Sequence, residues 1–273
     1  MGIMQLRTHR VAGGVMTLAA ALALSGCGGG GSGEGGGGSG ESSGSPNSDV
    51  AAFCEAIVAI NSDTGPEVDF ATASETEIKA AIQEYAKVFE PLVAEAERTA
   101  PDEVKNDVAT QARLSRQALS TGDDSVFQSP EFTEADARVD RYMLDNCGYD
   151  RIETVASDYQ FEGVPESVEG GPVAVTLKNE GEEIHEIALL RINDDVTLSA
   201  EELLALPQEE GMTKVKPAGF GFAEVGKSDT SFIRLEPGRY AVACFIPVGS
   251  KAEQEGNGPP HFTQGMFAEL TVT

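Results

Sequence analysis

The stretch RYAVACFIPVGSKAEQEGNGPPHFTQGMFAELTVT, residues 239–273, carries the clearest fold signal in the chain. Apolar residues recur at every second position in RYAVACFI and again in MFAELTVT, which is typical of strands with one buried face. In this phase Cys244 and Met266 lie on the buried faces of their strands. The segment between the strands is polar and turn-rich, and it contains His261. The pattern predicts two strands whose sulfurs point into the interior of a β-structure near one end. The segment between them is either a metal-binding loop or an ordinary hairpin connection after a buried thiol.

The same period of two continues upstream to about residue 151. PVAVTLKN, HEIALLRI and SDTSFIRL each predict a strand, and VASDYQFEGV predicts one more near the start of the region. One helix is predicted in LSAEELLAL, because Ser199 and Glu202 are spaced as a capping box. Short strands joined by Gly and Pro turns predict a β-sandwich or barrel over residues 151–273.

Residues 49–150 show helical periodicity instead. Four amphipathic segments are predicted: DVAAFCEAIVAI, SETEIKAAIQEYAKVFEPLVAEAERTA, APDEVKNDVATQARLSRQAL and TEADARVDRYMLDNCG. The second segment begins with a capping box of Ser74 and Glu77, and Pro91 is expected to kink or break it. Four such segments predict a small helical bundle. The predicted fold class is therefore α+β, with an N-terminal helical bundle followed by an all-β domain.

The N-terminus has the layout of a secretory signal. Arg7 and Arg10 precede an apolar run, residues 11–24, that is shorter than the ~20 residues a membrane-spanning helix needs. The run ends in Leu-Ser-Gly-Cys at residues 24–27, which resembles the lipobox of bacterial lipoproteins. The resemblance implies that a signal peptide, residues 1–26, is removed and that Cys27 is lipidated. A soluble secreted protein and an uncleaved anchor are the alternatives. The expected location is the extracytoplasmic face of the bacterial cell membrane, with a lipid anchor.

Residues 27–48 are almost entirely Gly and Ser and are expected to form a flexible linker. The whole chain has a formal net charge of −26. Such a charge argues against nucleic acid as a partner and against electrostatic attachment to anionic lipids. A basic redox protein is compatible with this charge, and so is a simple role in solubility.

The four cysteines have different expected roles. Cys27 is the lipidation site under the reading above. Cys54 lies on the first predicted helix and Cys147 at the end of the last, and packing of neighbouring helices can bring them together. Because disulfides persist outside the cytosol, a Cys54–Cys147 disulfide is predicted. Cys244 is then unpaired, and it is either a buried structural thiol or a metal ligand.

The region from about residue 152 to residue 273 resembles the cupredoxins, the blue-copper family. LKNEGEEIHE is similar to the family's strand, Asn-Gly turn and first histidine ligand, and LEPGRYAVAC looks like its Pro-Gly-x-Tyr-x-x-x-Cys strand. HFTQGM matches the second histidine and the axial methionine. The resemblance implies a cupredoxin-like Greek-key sandwich that binds one copper ion. The implied ligands are His185, Cys244, His261 and Met266.

Two features depart from the family's pattern. Sixteen residues separate Cys244 from His261, whereas the best-known members have only a few in this loop. Glu186 follows the first histidine, where many members have an Asn that links the ligand loops. Either Glu186 takes that supporting role, with Asn179 of the preceding turn as a second supporting residue, or the site is built differently. A Glu beside the copper also adds negative charge, which could help to bind another metal. The other acids of this turn, NEGEE, are expected to be solvated.

Three functional hypotheses follow from these observations. Two imidazoles, a thiolate and a weak axial thioether form the blue-copper arrangement, so the first is a lipid-anchored electron carrier. The second is a copper carrier or storage protein with the same ligands. The third is a metal-free interaction module in which Cys244 is a small buried hydrophobe. An enzyme with a small-molecule substrate is not expected, because multicopper oxidases and copper nitrite reductases need many more histidines. The helical domain is expected to be a spacer or a docking domain.

Overall fold

The computed structural model describes residues 48–63, 65, 66, 68, 72–252 and 254–273. The predicted signal peptide and Cys27 lie outside this range, as does all but the last residue of the linker. The four predicted helices are confirmed, and a 3-10 turn, Asp124–Gln128, precedes the fourth. They are α1 (Ser48–Asn61), α2 (Glu75–Thr99), α3 (Lys105–Thr121) and α4 (Pro130–Asn146). No helix within the described residues is both long enough and apolar enough to cross a membrane.

Helix α2 begins as predicted and continues to Thr99. The Ser74 hydroxyl accepts the Glu77 N–H at 3.3 Å, and the Ser74 N–H donates to the Glu77 carboxylate at 2.8 Å. Helix α2 runs through Pro91, so a break at this proline, one of the two predicted outcomes, does not occur. Pro91 and Lys87 both lie on the exposed side. The Lys87 carbonyl, which loses its intrahelical donor at the proline, can therefore be hydrated.

The predicted disulfide is confirmed and joins the two ends of the bundle. Cys54 on α1 and Cys147 just after α4 are bonded, with their Cα atoms 5.8 Å apart, within the usual range. Phe53, Phe132 and Met143 pack around the bridge's helices in the bundle core and are almost fully buried. The bridge thus connects α1 to α4 beside the most buried part of the bundle.

Asp140 on α4 is a buried acid in this bundle. Asp140 is only 2 % exposed, and neither of its carboxylate oxygens has a hydrogen-bond partner among the described residues. Burial, together with the charges of Asp136 and Asp229, raises the pKa of Asp140 well above its usual value. The folded state therefore holds this proton more tightly than the unfolded chain does.

We expect Asp140→Asn to stabilise the protein at neutral pH but not at pH 4. A group whose pKa is raised on folding stabilises the fold below its unfolded value of ~3.9, and this contribution is lost as the pH rises. The variant avoids that loss, which amounts to about 1.4 kcal/mol for each unit between the two pKa values. Urea unfolding at pH 4 and pH 8 measures the change. Asp145→Asn, an exposed acid on the same helix, is the matched control. An equal effect of Asp140→Asn at both pH values would contradict the expectation.

The predicted β-sandwich follows the helices and is confirmed as two packed sheets. One sheet has the strand order β2-β1-β4-β7, and the other has the order β3-β9-β8-β5-β6. Two short helices, α5 (Ala200–Leu204) and α6 (Gln208–Met212), lie between β5 and β6, and α5 has the predicted capping box. The strands are β1 (Asp150–Ser157), β2 (Gln160–Glu162), β3 (Ser167–Val168), β4 (Gly171–Asn179), β5 (His185–Ile192), β6 (Val215–Ala223), β7 (Ser228–Leu235), β8 (Gly238–Ala243) and β9 (Phe267–Val272).

Two parts of the sandwich differ from the sequence prediction. VASDYQFEGV is not one strand, because the chain turns at Asp158 and Tyr159 between β1 and β2. Strand β6 was not predicted at all, since Pro217, Gly219 and Gly221 interrupt its apolar pattern. The proline is tolerated because β6 is an edge strand. A Cβ at Gly219 would lie 2.5 Å from the Ile233 side chain, so the close packing of β6 on β7 needs glycine there.

The helices pack on the outer face of the β2-β1-β4-β7 sheet. Ala174 and Phe232 of this sheet belong to the same buried cluster as the helical core. The Arg234 backbone N–H donates to the Ser62 hydroxyl at 3.0 Å, and its guanidinium binds the Glu55 carboxylate. Arg234 pairs with the start of β4. The α1 contact is therefore at the opposite end of β4 from the turn that leads to His185.

Candidate metal centre

The four predicted ligands lie at strand ends on one side of the sandwich. His185 is the first residue of β5, Cys244 directly follows β8, and Met266 directly precedes β9. His261 begins a short 3-10 turn, His261–Gln264. Because β8 lies between β5 and β9 in the sheet, these ends are neighbours. All four residues are fully buried.

The two histidines and the cysteine form one compact cluster. The two Nδ1 atoms of His185 and His261 are 3.1 Å apart, and the Cys244 sulfur is 3.4 Å from the His261 Nδ1. One ligand atom from each residue lies within 4.8 Å of the other two. Donors that surround one ion at about 2.0–2.3 Å lie roughly 3.5–4 Å from one another. The three side chains therefore fit a single metal ion after a small outward adjustment.

Backbone hydrogen bonds fix the segments that carry these side chains. The Cys244 N–H donates to the Met266 carbonyl at 3.2 Å, and the Met266 N–H donates to the His261 carbonyl at 3.3 Å. The Phe262 N–H donates to the Cys244 carbonyl at 2.9 Å. The Met266 side chain packs in the same core cluster as Cys244. The C-terminal three predicted ligands are thus held by one connected piece of backbone.

The long loop between Cys244 and His261 closes at its base. Pro247 and Pro260 face each other as a bridge, and the Val248 N–H donates to the Pro259 carbonyl at 3.0 Å. The Ile184 N–H donates to the Ser250 carbonyl at 3.1 Å, which attaches the loop to the residue before His185. The loop bulges outward and still returns His261 to the cluster.

Two carboxylates that were not predicted contact the outer edges of the imidazoles. The His185 Nε2 is 3.0 Å from an Asp158 oxygen, and the His261 Nε2 is 3.0 Å from a Glu183 oxygen. An ionised carboxylate only accepts hydrogen bonds, so each Nε2 carries the proton and each Nδ1 presents a lone pair. The two lone pairs then face each other across 3.1 Å without a proton between them. A cation bound between them would relieve this unfavourable buried contact.

The charge states of these four groups agree with that arrangement. Burial lowers the pKa of both His185 and His261 and outweighs the effect of the neighbouring carboxylates, so both imidazoles are neutral at pH 7. Burial alone would raise the pKa of Asp158, but hydrogen bonds from the Glu182 N–H and His185 lower it. In the same way, the Gly249 N–H and His261 overcome burial and lower the pKa of Glu183. Each pair is therefore a neutral imidazole that donates to a carboxylate.

The cysteine is a protonated thiol while no metal is bound. Burial is the main reason that the pKa of Cys244 is raised, and the charge of Glu186 adds to it. The backbone N–H groups of Glu186 and Ile246 point at the sulfur and act in the opposite direction. A metal ion would displace the thiol proton, and these two N–H groups would then stabilise the charge on sulfur.

The two predicted supporting residues lie beside the cluster. The Glu186 N–H is 3.4 Å from the Cys244 sulfur, and a Glu186 oxygen accepts the Phe245 N–H at 2.8 Å. Glu186 thereby links the start of β5 to the end of β8, and burial raises its pKa to about 7. Asn179 acts on the turn instead. Its amide donates to the carbonyls of Glu183 and Ala223, both at 2.8 Å.

Sequence reasoning missed these two carboxylates because acidic residues in turns are common in this chain. They are two of 45 acidic residues, and both lie in turns, where acids are usually solvated. The expectation that the acids of NEGEE are solvated is wrong for Glu183, whose side chain is 14 % exposed and contacts His261. Its position two residues before His185 was a usable signal. Asp158 lies 27 residues before His185, and its sequence position gave no comparable signal.

We expect Gly181→Ala to weaken copper binding by about 10- to 100-fold, the usual cost of disturbing an outer partner of a metal ligand. A Cβ at Gly181 would lie 2.4 Å from an Asp158 oxygen and 2.6 Å from the His185 Nε2. The methyl group therefore pushes these two side chains apart. Competition titration with a copper chelator measures the affinity. Glu180→Ala, at an exposed neighbouring position, is the control and should bind as the wild type does. Unchanged affinity in Gly181→Ala would contradict the geometry.

The solved structures named below each cover 45–46 % of this chain. No known family profile and no curated protein matches the chain. Auracyanin A, a "blue" copper protein from Chloroflexus aurantiacus, is 16 % identical over 46 % of this chain and 100 % of its own length, with a TM-score of 0.30. Rusticyanin from Thiobacillus ferrooxidans is 18 % identical over 45 % of this chain and 78 % of its own, with a TM-score of 0.29. A multicopper oxidase is 13 % identical over 45 % of this chain and 44 % of its own, with a TM-score of 0.25.

At these TM-scores the likenesses carry no weight by themselves. The C-terminal region has three features of its own that indicate its fold and its site. These are the two-sheet strand order, the ligands at neighbouring strand ends, and the buried His185, Cys244 and His261 cluster with Met266 beside it. The C-terminal region, from β1 to β9, is a cupredoxin-like sandwich with a donor set suited to one copper ion.

Proposed function

We propose that this protein transfers single electrons through one copper ion held by His185, Cys244 and His261, with Met266 as a weak axial ligand. The observation that carries this proposal is the pair of imidazoles whose Nδ1 atoms face each other and the Cys244 sulfur in a buried cluster. Thiolate and thioether sulfur favour Cu(I), and imidazoles also suit Cu(II). When bound, copper would supply the one-electron couple.

The surroundings of the cluster support a fixed site rather than an adaptable one. The backbone bonds among Cys244, His261 and Met266 hold three of the ligands in place. Glu186 connects the remaining ligand strand to the cysteine strand. Because the ligands need to move little between the two copper states, the energy spent on rearrangement during electron transfer is small. A fully buried cluster also favours slow exchange of copper, which argues against a copper carrier.

We propose further that the protein works on the extracytoplasmic face of the cell membrane, attached by a lipid on Cys27. The Cys54–Cys147 disulfide supports an oxidising compartment. A basic redox protein is the proposed partner, because the net charge of the chain is −26. The helical bundle is proposed as a spacer or a docking domain. Its α1 contact with the sandwich is at the end of β4 opposite to the turn that leads to His185. The protein is proposed to be a carrier of electrons and not an enzyme.

A Cu(II) titration of the purified protein tests this proposal, with visible absorption, EPR and voltammetry as readouts. We expect binding of one ion, an intense thiolate-to-copper charge-transfer band and a reversible one-electron couple. Stoichiometric binding without a reversible couple, together with rapid loss of copper to a chelator, would favour a copper carrier. Absence of stoichiometric binding would overturn both copper functions and leave the interaction module.

A further inference from the structure

We infer that Asp158 and Glu183 are a matched pair of positioning residues, one for each imidazole, that fix the metal-facing tautomer of both histidines and favour Cu(II) over Cu(I). This inference rests on the proposed copper function and adds to it the residues that set the balance between the two oxidation states. It begins from the two contacts of 3.0 Å between the carboxylates and the Nε2 atoms of His185 and His261.

The two carboxylates come from different turns. Each carboxylate accepts a hydrogen bond from a residue of the other turn. Asp158 lies in the β1–β2 turn and accepts the Glu182 N–H at 3.1 and 3.0 Å through its two oxygens. Glu183 lies in the β4–β5 turn and accepts the Tyr159 hydroxyl at 3.1 Å. Residues 158–159 and 182–183 are therefore hydrogen-bonded to each other beside the outer edges of both imidazoles.

Glu183 has a further connection that fixes its position. The oxygen that contacts His261 also accepts the Gly249 N–H at 2.5 Å, which ties it to the loop between Cys244 and His261. The Tyr159 ring packs edge-on against His261, with ring centroids 4.9 Å apart. The His261 imidazole is thus held in one orientation by a ring and by a carboxylate that is itself held twice. Such constraint is what a positioning residue needs in order to select one tautomer.

Two anionic groups at this distance act differently on the two copper states. A hydrogen bond to a carboxylate makes an imidazole a stronger donor, and loss of such a partner usually weakens metal binding by about 10- to 100-fold. The side chains are only partly exposed, at 31 % for Asp158 and 14 % for Glu183. Their charges are therefore screened less than surface charges are, and they stabilise Cu(II) more than Cu(I). A tenfold loss in Cu(II) affinity alone corresponds to a rise of about 59 mV in reduction potential.

The metal-free protein gives the first test, which needs no copper. Nitrogen-15 NMR of the two imidazoles should show the Nε2–H tautomer for both in the wild type. Glu183→Gln should change the tautomer balance of His261 but not of His185, and Asp158→Asn should do the reverse, because an amide can donate as well as accept. Glu180→Gln makes the same charge change at an exposed position of the β4–β5 turn, and it should change neither histidine.

The copper-loaded protein gives the second test. We expect Glu183→Gln and Asp158→Asn to bind Cu(II) about 10- to 100-fold more weakly and to have a raised reduction potential, with Glu180→Gln matching the wild type. If the wild type is blue but both variants show the tautomers, affinity and potential of Glu180→Gln, this inference is overturned and the proposed function stands. A wild type that binds no copper would overturn both.

Discussion

Cys244→Ser is expected to abolish the intense visible absorption of the copper-loaded protein and to weaken copper binding by more than about 100-fold. Loss of an outer partner alone costs about 10- to 100-fold, and Cys244 would be a ligand itself. The band requires a thiolate, and a serine hydroxyl is a hard donor that stays protonated at neutral pH. The sulfur lies 3.4 Å from the His261 Nδ1 in the buried cluster. The other two cysteines among the described residues, Cys54 and Cys147, are bonded to each other and cannot replace it.

The fold itself should survive this substitution, because serine is close to cysteine in size. Its hydroxyl can keep the hydrogen bond from the Glu186 N–H that the sulfur accepts in the wild type. Met266→Leu is the matched control, since it removes the thioether beside the cluster but leaves the thiolate. That variant should retain the band and shift the reduction potential. Persistence of the band in Cys244→Ser would show that the absorption arises elsewhere, and the ligand assignment would then be wrong.

Removal of the disulfide is expected to lower the free energy of unfolding of the metal-free protein by about 4–5 kcal/mol. The bridge joins residues separated by 93 positions, and in the chain-entropy treatment a loop of about 100 residues corresponds to roughly 4.7 kcal/mol. The double variant Cys54→Ala/Cys147→Ala avoids burying new hydroxyl groups. Urea unfolding followed by far-ultraviolet circular dichroism measures the change.

The double variant also tests whether the helical bundle and the β-sandwich unfold together. The bridge lies in the bundle, which contacts the sandwich through Phe232 and Arg234. If the two domains unfold together, the β-sandwich should lose stability as well, and the urea midpoint of copper release should fall with the helical signal. Copper affinity in the absence of urea should not change. A loss of less than about 1 kcal/mol would mean that the reduced chain remains constrained in its unfolded state.

Local patterns in the sequence predicted those parts of this fold that depend on neighbouring residues. Capping boxes at Ser74 and Ser199 and the period of two in β5, β7 and β9 need only a few positions to be recognised. Strand β6 was not predicted, because Pro217 and Gly219 interrupt its pattern. Pro217 is tolerated only because β6 is at the edge of its sheet, and Gly219 is needed because it packs against Ile233 of another strand. Neither fact can be read from the neighbouring residues. The outcome at Pro91 could not be predicted, because it depends on which face of α2 meets water.

The candidate site divides in the same way. The residue types and order of His185, Cys244, His261 and Met266 were enough to propose them, and the structure brings the first three together. The Asp158 carboxylate could not be proposed, since its contact arises only when two separate turns meet over the imidazoles. The only sequence signal for Glu183, which contacts His261, was its position two residues before His185. Identity and order of ligands are properties of the chain, whereas the partners that orient them are properties of tertiary packing.

Because the loop between Cys244 and His261 is closed at its base, its length does not affect where these two predicted ligands lie. The contacts of Val248 with Pro259 and Gly258 form a neck, and the neck, not the tip, determines how far apart the two flanking residues lie. Each doubling of a flexible loop costs only about 0.6 kcal/mol. Gly249 and Ser250 contact the turn before His185, but the loop residues beyond them can vary in size, charge or sequence. A long interval between two ligands in a sequence is therefore no measure of the distance between them in space.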